Sequence, residues 1–412
     1  MNPMLHNRRE LFQVTAAAAA ASKLSGSELG DKLAQAMRSK VLKTELFPSP
    51  VKITSIELLR SGKHSIVRVR SADGATGYSA AQPPVMRDTY PIFLHRVAPV
   101  FLNKDARDLE KLLDEVYRAD SNYKWQGLAL WVSVAAIEIA ILDMLGQTSK
   151  KPLGELLGKV VRKDIRVYRA GGNRGNAPEV EIAYLQKLVE ETGAQAIKFR
   201  LGGRMRYDDE STKRDLALIP LTRKVFGSGM TIYADGNGSY DVPMALRIGR
   251  LIEEQKFGFY EEPVPFDYYE ETKQIADTLE IPIALGEEEM SIRGFRRIIE
   301  TKTAQVIQPD ILYFGGMIRS IRVARMAEAA GLNCTPHMSG GGLGYLYVAH
   351  FASCIPNCGA HQEYKGEDEG LPATSDTSSL KSVKGVLRVP SGPGLGITID
   401  PDLLRKATPQ TA

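Results

Sequence analysis

The chain has 412 residues, 43% hydrophobic and 25% charged, a length for two or three domains and a composition that excludes disorder. Its 53 Lys and Arg against 49 Asp and Glu leave a net charge of +4, which gives no reason to expect nucleic acid as the main partner. Three cysteines build no disulfide framework and read as small buried side chains. Beyond the N-terminus no uninterrupted apolar run reaches the roughly 18–20 residues of a membrane span.

At the start, Asn7-Arg8-Arg9-Glu10-Leu11-Phe12 leads into Val14, Thr15 and the alanine run Ala16–Ala21. A basic start, a weakly apolar middle and small residues have the layout of an export signal, and the paired arginines resemble a twin-arginine signal. Residues 1–25 are therefore expected to be a leader and the mature protein periplasmic or otherwise exported; without a working leader it would be cytoplasmic. Residues 23–45 read as helical or loosely attached. From Val51, alternation in Val51–Leu59 and Ser65–Arg70, with a turn before Thr76-Gly77-Tyr78-Ser79, predicts a small antiparallel meander. Helical spacing follows over 91–147, with Leu109, Leu112, Leu113 and Val116 on one stripe and a nearly all-apolar helix from Trp131 to Leu145. Strands followed by segregated helices predict an α+β domain.

From Ile165 short apolar strands alternate with amphipathic helices. The strands read Ile165–Arg169, Ala196–Arg200, Met230–Asp235, Phe257–Glu262, Pro282–Glu287, Ala304–Asp310, Asn333–His337 and Gly359–Glu363. Helices such as Met244–Glu254, Tyr268–Leu279, Ile318–Ala330 and Leu343–Cys354 lie between them. This is an α/β pattern, and eight strands point to a closed parallel barrel. An open doubly wound sheet is the competitor, but Gly171-Gly172-Asn173 lacks the spacing of a dinucleotide loop.

Asp235, Glu261, Glu287, Asp310, His337 and Glu363 all close strands, at intervals of 26, 26, 23, 27 and 26 residues. A barrel gathers such ends on one rim, where its active site lies. One carboxylate there could be a helix cap; six polar ends in one register are hard to ascribe to capping. Three buried carboxylates cannot all stay ionised without a cation, and an all-oxygen set suits Mg²⁺, with Mn²⁺ as a substitute. Asp235, Glu261 and Glu287 are the expected ligands, with Glu262, Glu288 and Glu289 one register away. Such a metal would acidify the α-proton of a bound small-molecule carboxylate. His337 is the expected base, oriented by Asp310 on the neighbouring strand. Lys198 and Arg200, on one face of an earlier strand, would meet the substrate carboxylate, and Glu363, if protonated, would donate a hydrogen bond to the enediolate.

The segments Tyr233-Ala234-Asp235-Gly236-Asn237, Tyr260-Glu261-Glu262-Pro263, Leu285-Gly286-Glu287, Gln308-Pro309-Asp310, Thr335-Pro336-His337 and Gln362-Glu363 resemble the enolase superfamily, within it the mandelate racemase subgroup, over about residues 50–405. The resemblance implies a (β/α)7β TIM-like barrel over 161–379 and an α+β capping domain over 48–160, completed by 380–412 with a return over Gly385–Asp402. It also implies a mobile specificity loop between about Ser61 and Asp88, Mg²⁺, a homo-oligomer, and α-proton abstraction from a carboxylate. Lys198, Arg200, Asn237 and Glu363 are then the expected substrate contacts. One position departs: the subgroup's Lys-x-Lys is Lys198-Phe199-Arg200 here, and a guanidinium is a very poor base. Chemistry on one face by His337 and Asp310 is thus expected, with dehydration of an acid sugar to a 2-keto-3-deoxy acid preferred. A racemase, epimerase or cycloisomerase of a hydroxy acid or sugar-acid lactone is the alternative, and a degenerate binding barrel the third reading.

Overall fold

The computed structural model describes residues 26–339, 342–366 and 370–411, so the leader expected over 1–25 lies outside the described residues. Strands β1 (Ile53–Ser61), β2 (His64–Ser71) and β3 (Thr76–Ala81) form the antiparallel meander. Thr408–Pro409 adds to the free side of β1, so the end of the chain completes this sheet. Alternation puts Val67 and Val69 of β2 on one face, level with Ser79 and Gly77 of β3, and buries them against the helix Leu128–Ser149. Strand and helix meet backbone to backbone at Gly77, where an added Cβ would fall 2.2 Å from the Ala140 carbonyl oxygen and the Met144 nitrogen.

That helix is long and apolar enough to cross a membrane, but 89% of its most apolar stretch lies buried inside the protein. Its two acidic side chains act as internal clasps. Glu138 accepts from the Met317 and Ile318 amides at 2.9 and 2.8 Å, at the start of the barrel helix Met317–Ala329. Asp143 accepts from Tyr78 of β3 at 2.8 Å and from Leu395 of the C-terminal segment at 2.7 Å.

Eight parallel strands form the barrel: β4 (Asp164–Ala170), β5 (Ala196–Arg200), β6 (Thr231–Asp235), β7 (Tyr260–Glu261), β8 (Ile283–Leu285), β9 (Val306–Ile307), β10 (Asn333–Cys334) and β11 (Gln362–Tyr364). Each of β4 to β9 pairs with the next, and β11 pairs with β4. A single bridge between Cys334 and Cys358 closes the ring. Tyr168, Tyr233 and Phe259 fill its interior, Tyr233 and Phe259 stacking with centroids 4.1 Å apart. These rings floor the site above.

Several expectations need correction. Most strands are shorter than the alternation suggested: the apolar stretch Ala304–Asp310 keeps ladder pairing only at Val306–Ile307, the rest turning into the rim. Residues 23–45 are not loosely attached where described, because the helix Gly26–Arg38 packs on Met317–Ala329. Arg325 adds a hydrogen bond to the Lys40 carbonyl at 2.8 Å. Ser61–Asp88 is no loop: most of it is β2, β3 and the start of the helix Pro83–Ile92. Within Gly385–Asp402, Val386–Arg388 stays with the barrel on β4, and only the later residues reach the cap. Cys334 and Cys354 are buried as expected, but Cys358 is partly exposed.

Candidate active site

The register of the parallel ladder sets the site. Arg200 lies beside Asp235 and Asp235 beside Glu261, so three strands end in one layer. Glu287 follows Gly286, whose φ of 132° only glycine adopts freely and whose space is closed by the Phe295 ring, 2.6 Å from an added Cβ. Asn237 and Glu262 take left-handed φ of 41°, and the Asn237 amide turns back to Asp235 Oδ1 at 2.8 Å. The strain is spent on folding two carboxylate-bearing ends into the mouth.

Asp235, Glu261 and Glu287 each offer an oxygen within 4.8 Å of the others. The adjacent Glu262, Glu288 and Glu289 are not part of this group among the described residues. Glu261 Oε1 is buried without a hydrogen-bond partner among the described residues, and Glu287 Oε2 faces the His337 ring nitrogen at 3.3 Å. Burial, with Glu287 and Glu363 close by, pushes Glu261 up although Lys198 opposes it. Burial and the charges of Glu287 and Glu261 push Glu262 well up. Hard oxygen donors in surplus, with orphaned lone pairs, fit a divalent cation.

Lys198 rises from the β5 floor, fully buried, 2.6 Å from Glu261 Oε2 and 3.4 Å from Glu363 Oε1. Its ammonium sits 5.3 Å above the Tyr168 ring centre. Burial favours its neutral form, but Glu261 and Glu363 outweigh that and hold the proton firmly. Arg200 pairs with Asp235 and lies 3.0 Å from Asn237 Oδ1. Asn237 also receives Arg174 and donates to Glu287 at 3.2 Å, so this buried amide braces the carboxylates and is not presented as a free substrate contact.

On the other side of the mouth, His337 Nδ1 lies 2.7 Å from Asp310 Oδ2. Asp310 Oδ1 accepts from the Leu312 and Tyr313 amides at 2.8 and 2.9 Å and from Ser339 at 3.2 Å, which fixes the carboxylate in place. His337 Nε2 points inward, 3.3 Å from Glu287 Oε2. Burial alone would lower His337, but Glu287, Glu363 and the Asp310 hydrogen bond prevail and raise it.

Glu363 lies at the mouth between Lys198 and His337. Lys198, Lys365 and His337 overcome its burial and hold it far below the usual carboxylate range. Its Oε2 accepts from the Met338 amide at 2.8 Å. Two side chains escaped the sequence reading. Lys365 stands 3.4 Å from His337 Nε2 and 3.8 Å from Glu363. The same two-residue spacing that singled out Lys198 and Arg200 relates it to Glu363. Arg174, just past β4, is lowered to about 10 by burial and by Arg200, Arg204 and Arg214.

Residues 181–403 match the family model for the enolase C-terminal domain-like fold, and residues 37–158 match the mandelate racemase/muconate lactonizing enzyme N-terminal domain. An arabinonate dehydratase of Saccharolobus solfataricus is 28% identical over 337 residues, covering 80% of this chain and 87% of the relative. A D-galactonate dehydratase of Xanthomonas euvesicatoria is 27% identical over 348 residues, covering 82% and 90%. A mandelate racemase/muconate lactonizing protein from Paracoccus denitrificans, solved with magnesium, has a TM-score of 0.80 and 26% identity, covering 88% of this chain and 99% of that one.

Proposed function

The chain belongs to the mandelate racemase/muconate lactonizing group of the enolase superfamily, and from that membership we propose that it dehydrates an acid sugar to a 2-keto-3-deoxy acid. The observation that carries the reading is the imidazole of His337, held at Nδ1 by Asp310 and turned with Nε2 toward the carboxylate triad. Asp235, Glu261 and Glu287 would hold Mg²⁺. When bound, that ion stabilises the negative charge that grows on the substrate carboxylate as its α-proton leaves. His337 Nε2 takes the proton and Asp310 stabilises the imidazolium. Lys198, fully charged on the opposite side, adds positive potential and removes no proton. The names of the two dehydratase relatives support elimination as the outcome.

The partner is thus a small carboxylate. Assembly into a homo-oligomer and export through the N-terminal arginines belong to the same proposal, checked by light scattering and by fractionation of the host. The function is tested by offering a library of aldonates and aldarates, arabinonate and D-galactonate included, and trapping 2-keto acids with semicarbazide. Absorbance of the semicarbazone from at least one member is expected. Epimerised acid sugar with no keto acid would replace the dehydratase by the isomerase.

A further inference from the structure

We propose that Lys365 is the general acid of the elimination, delivering the proton that turns the departing β-hydroxyl into water. This rests on the dehydratase reading and adds to it a residue and a division of labour. Lys365 follows β11 directly, and its ammonium lies 3.4 Å from His337 Nε2 and 3.8 Å from Glu363, while donating to the Met338 carbonyl. Its side chain is 28% exposed, against 0% for Lys198. Of the two lysines at the mouth, Lys198 is therefore sealed in the floor between carboxylates, and Lys365 stands at the open side next to the base. The C2–H bond lies at His337 Nε2 when its proton is taken, so the adjoining C3 substituent falls within reach of a group a few ångströms from that nitrogen.

The balance is complete without another reactant. The C2–H bond breaks, its proton goes to His337 Nε2 and its electron pair forms the enediolate. That pair then forms the C2=C3 bond as C3–O breaks, and the oxygen leaves with the C3–O electrons and takes a proton from Lys365 Nζ as water. The enol left behind gives up its O2 proton and gains one at C3, becoming the 2-keto-3-deoxy acid. The neutral amine of Lys365 then recovers its proton from the imidazolium across the 3.4 Å gap, which resets both groups.

The test separates proton removal from hydroxyl departure. D-galactonate, or whichever library acid the wild-type protein dehydrates, is used beside its 3-deoxy-3-fluoro analogue, because fluoride leaves without needing a proton. Lys365→Met should lower dehydration about 100-fold, the usual scale of general acid catalysis. Deuterium exchange at C2 in D₂O and elimination of fluoride should stay within a few-fold of wild type. Lys365→Arg keeps the charge with a far weaker acid, and should lose dehydration to a similar extent while melting like wild type. Dehydration kept by Lys365→Arg, or equal losses of dehydration, exchange and fluoride elimination in both variants, would overturn the proposal. Wild-type protein that neither dehydrates nor exchanges any library acid would overturn the dehydratase reading itself.

Discussion

Replacing Asp310 by Asn tests how much the carboxylate contributes through the imidazole it holds. The backbone of the site should survive, because an amide oxygen can still accept from the Leu312 and Tyr313 N–H groups that now meet Oδ1. The amide nitrogen then faces His337 Nδ1 where Oδ2 stands at 2.7 Å. A donor there forces Nδ1 to accept, which puts the ring proton on Nε2, the nitrogen that must take the substrate's proton. Recovering the productive tautomer costs a hydrogen bond, about 1–2 kcal/mol. Losing the charge beneath the imidazolium costs at most ~4 kcal/mol, for charges ~4 Å apart at an effective dielectric of ~20. Part of that charge is already spread over two amides and the Ser339 hydroxyl, so the total should be about 2–4 kcal/mol, roughly 30–1000-fold in kcat. The loss should be smaller than that of His337→Asn. A pH profile adds the sign: kcat/KM rises as His337 loses its proton, and Asp310 is among the groups that raise that ionisation. The acid limb should therefore move to lower pH in Asp310→Asn, and the deficit against wild type should narrow as the pH falls. Semicarbazide-trapped rates across pH give both. A variant within threefold of wild type, with an unmoved limb, would refute the orienting role.

Other outcomes follow from the same geometry. Exhaustive chelation should abolish turnover and Mg²⁺ restore it, with Glu261→Gln losing orders of magnitude in kcat; full activity after chelation would remove the metal from the site. Glu138→Ala should lower unfolding free energy by about 2–4 kcal/mol in denaturant titrations, since it strands the Met317 and Ile318 amides. Wild-type protein in D₂O should place deuterium at C2 of one epimer only, because Lys198 keeps its proton and Arg200 is a guanidinium; equal exchange into both epimers would reveal a second base.

Much of this site was legible because a barrel turns sequence spacing into adjacency. Six polar residues at intervals near 26 needed only the assumption of strand ends on one rim, and the triad and the His337–Asp310 pair follow from it. What stayed hidden depends on sums over distant groups. The downward pull on Glu363's ionisation comes from Lys198, Lys365 and His337, on two other strands and its own, which no local pattern displays. The clasp of Glu138 on Met317 and Ile318 joins residues 179 and 180 apart. The short barrel strands were overread because burial does not stop where the ladder does; Ala304, Gln308 and Asp310 are buried on either side of Val306–Ile307 but outside the strand.

The two sides of the mouth differ in their charged groups, and under the dehydratase proposal that difference predicts a stereochemistry. The β5 side carries cations engaged with carboxylates, Lys198 with Glu261 and Arg200 with Asp235, so protons neither leave nor enter substrate there with ease. The β10–β11 side carries His337 and Lys365, 3.4 Å apart. A base and an acid so close reach only one face of a substrate, so under the Lys365 proposal the C2 proton and the C3 hydroxyl must leave from the same side. The elimination should be syn, and an acid sugar that can present both groups together in its bound conformer should be turned over in preference to its C3 epimer. Competing the two C3 epimers in one vessel and comparing kcat/KM measures this. A preference for the epimer whose C3 hydroxyl projects to the Lys198 side would place the acid across the mouth, and Lys365 would lose its role.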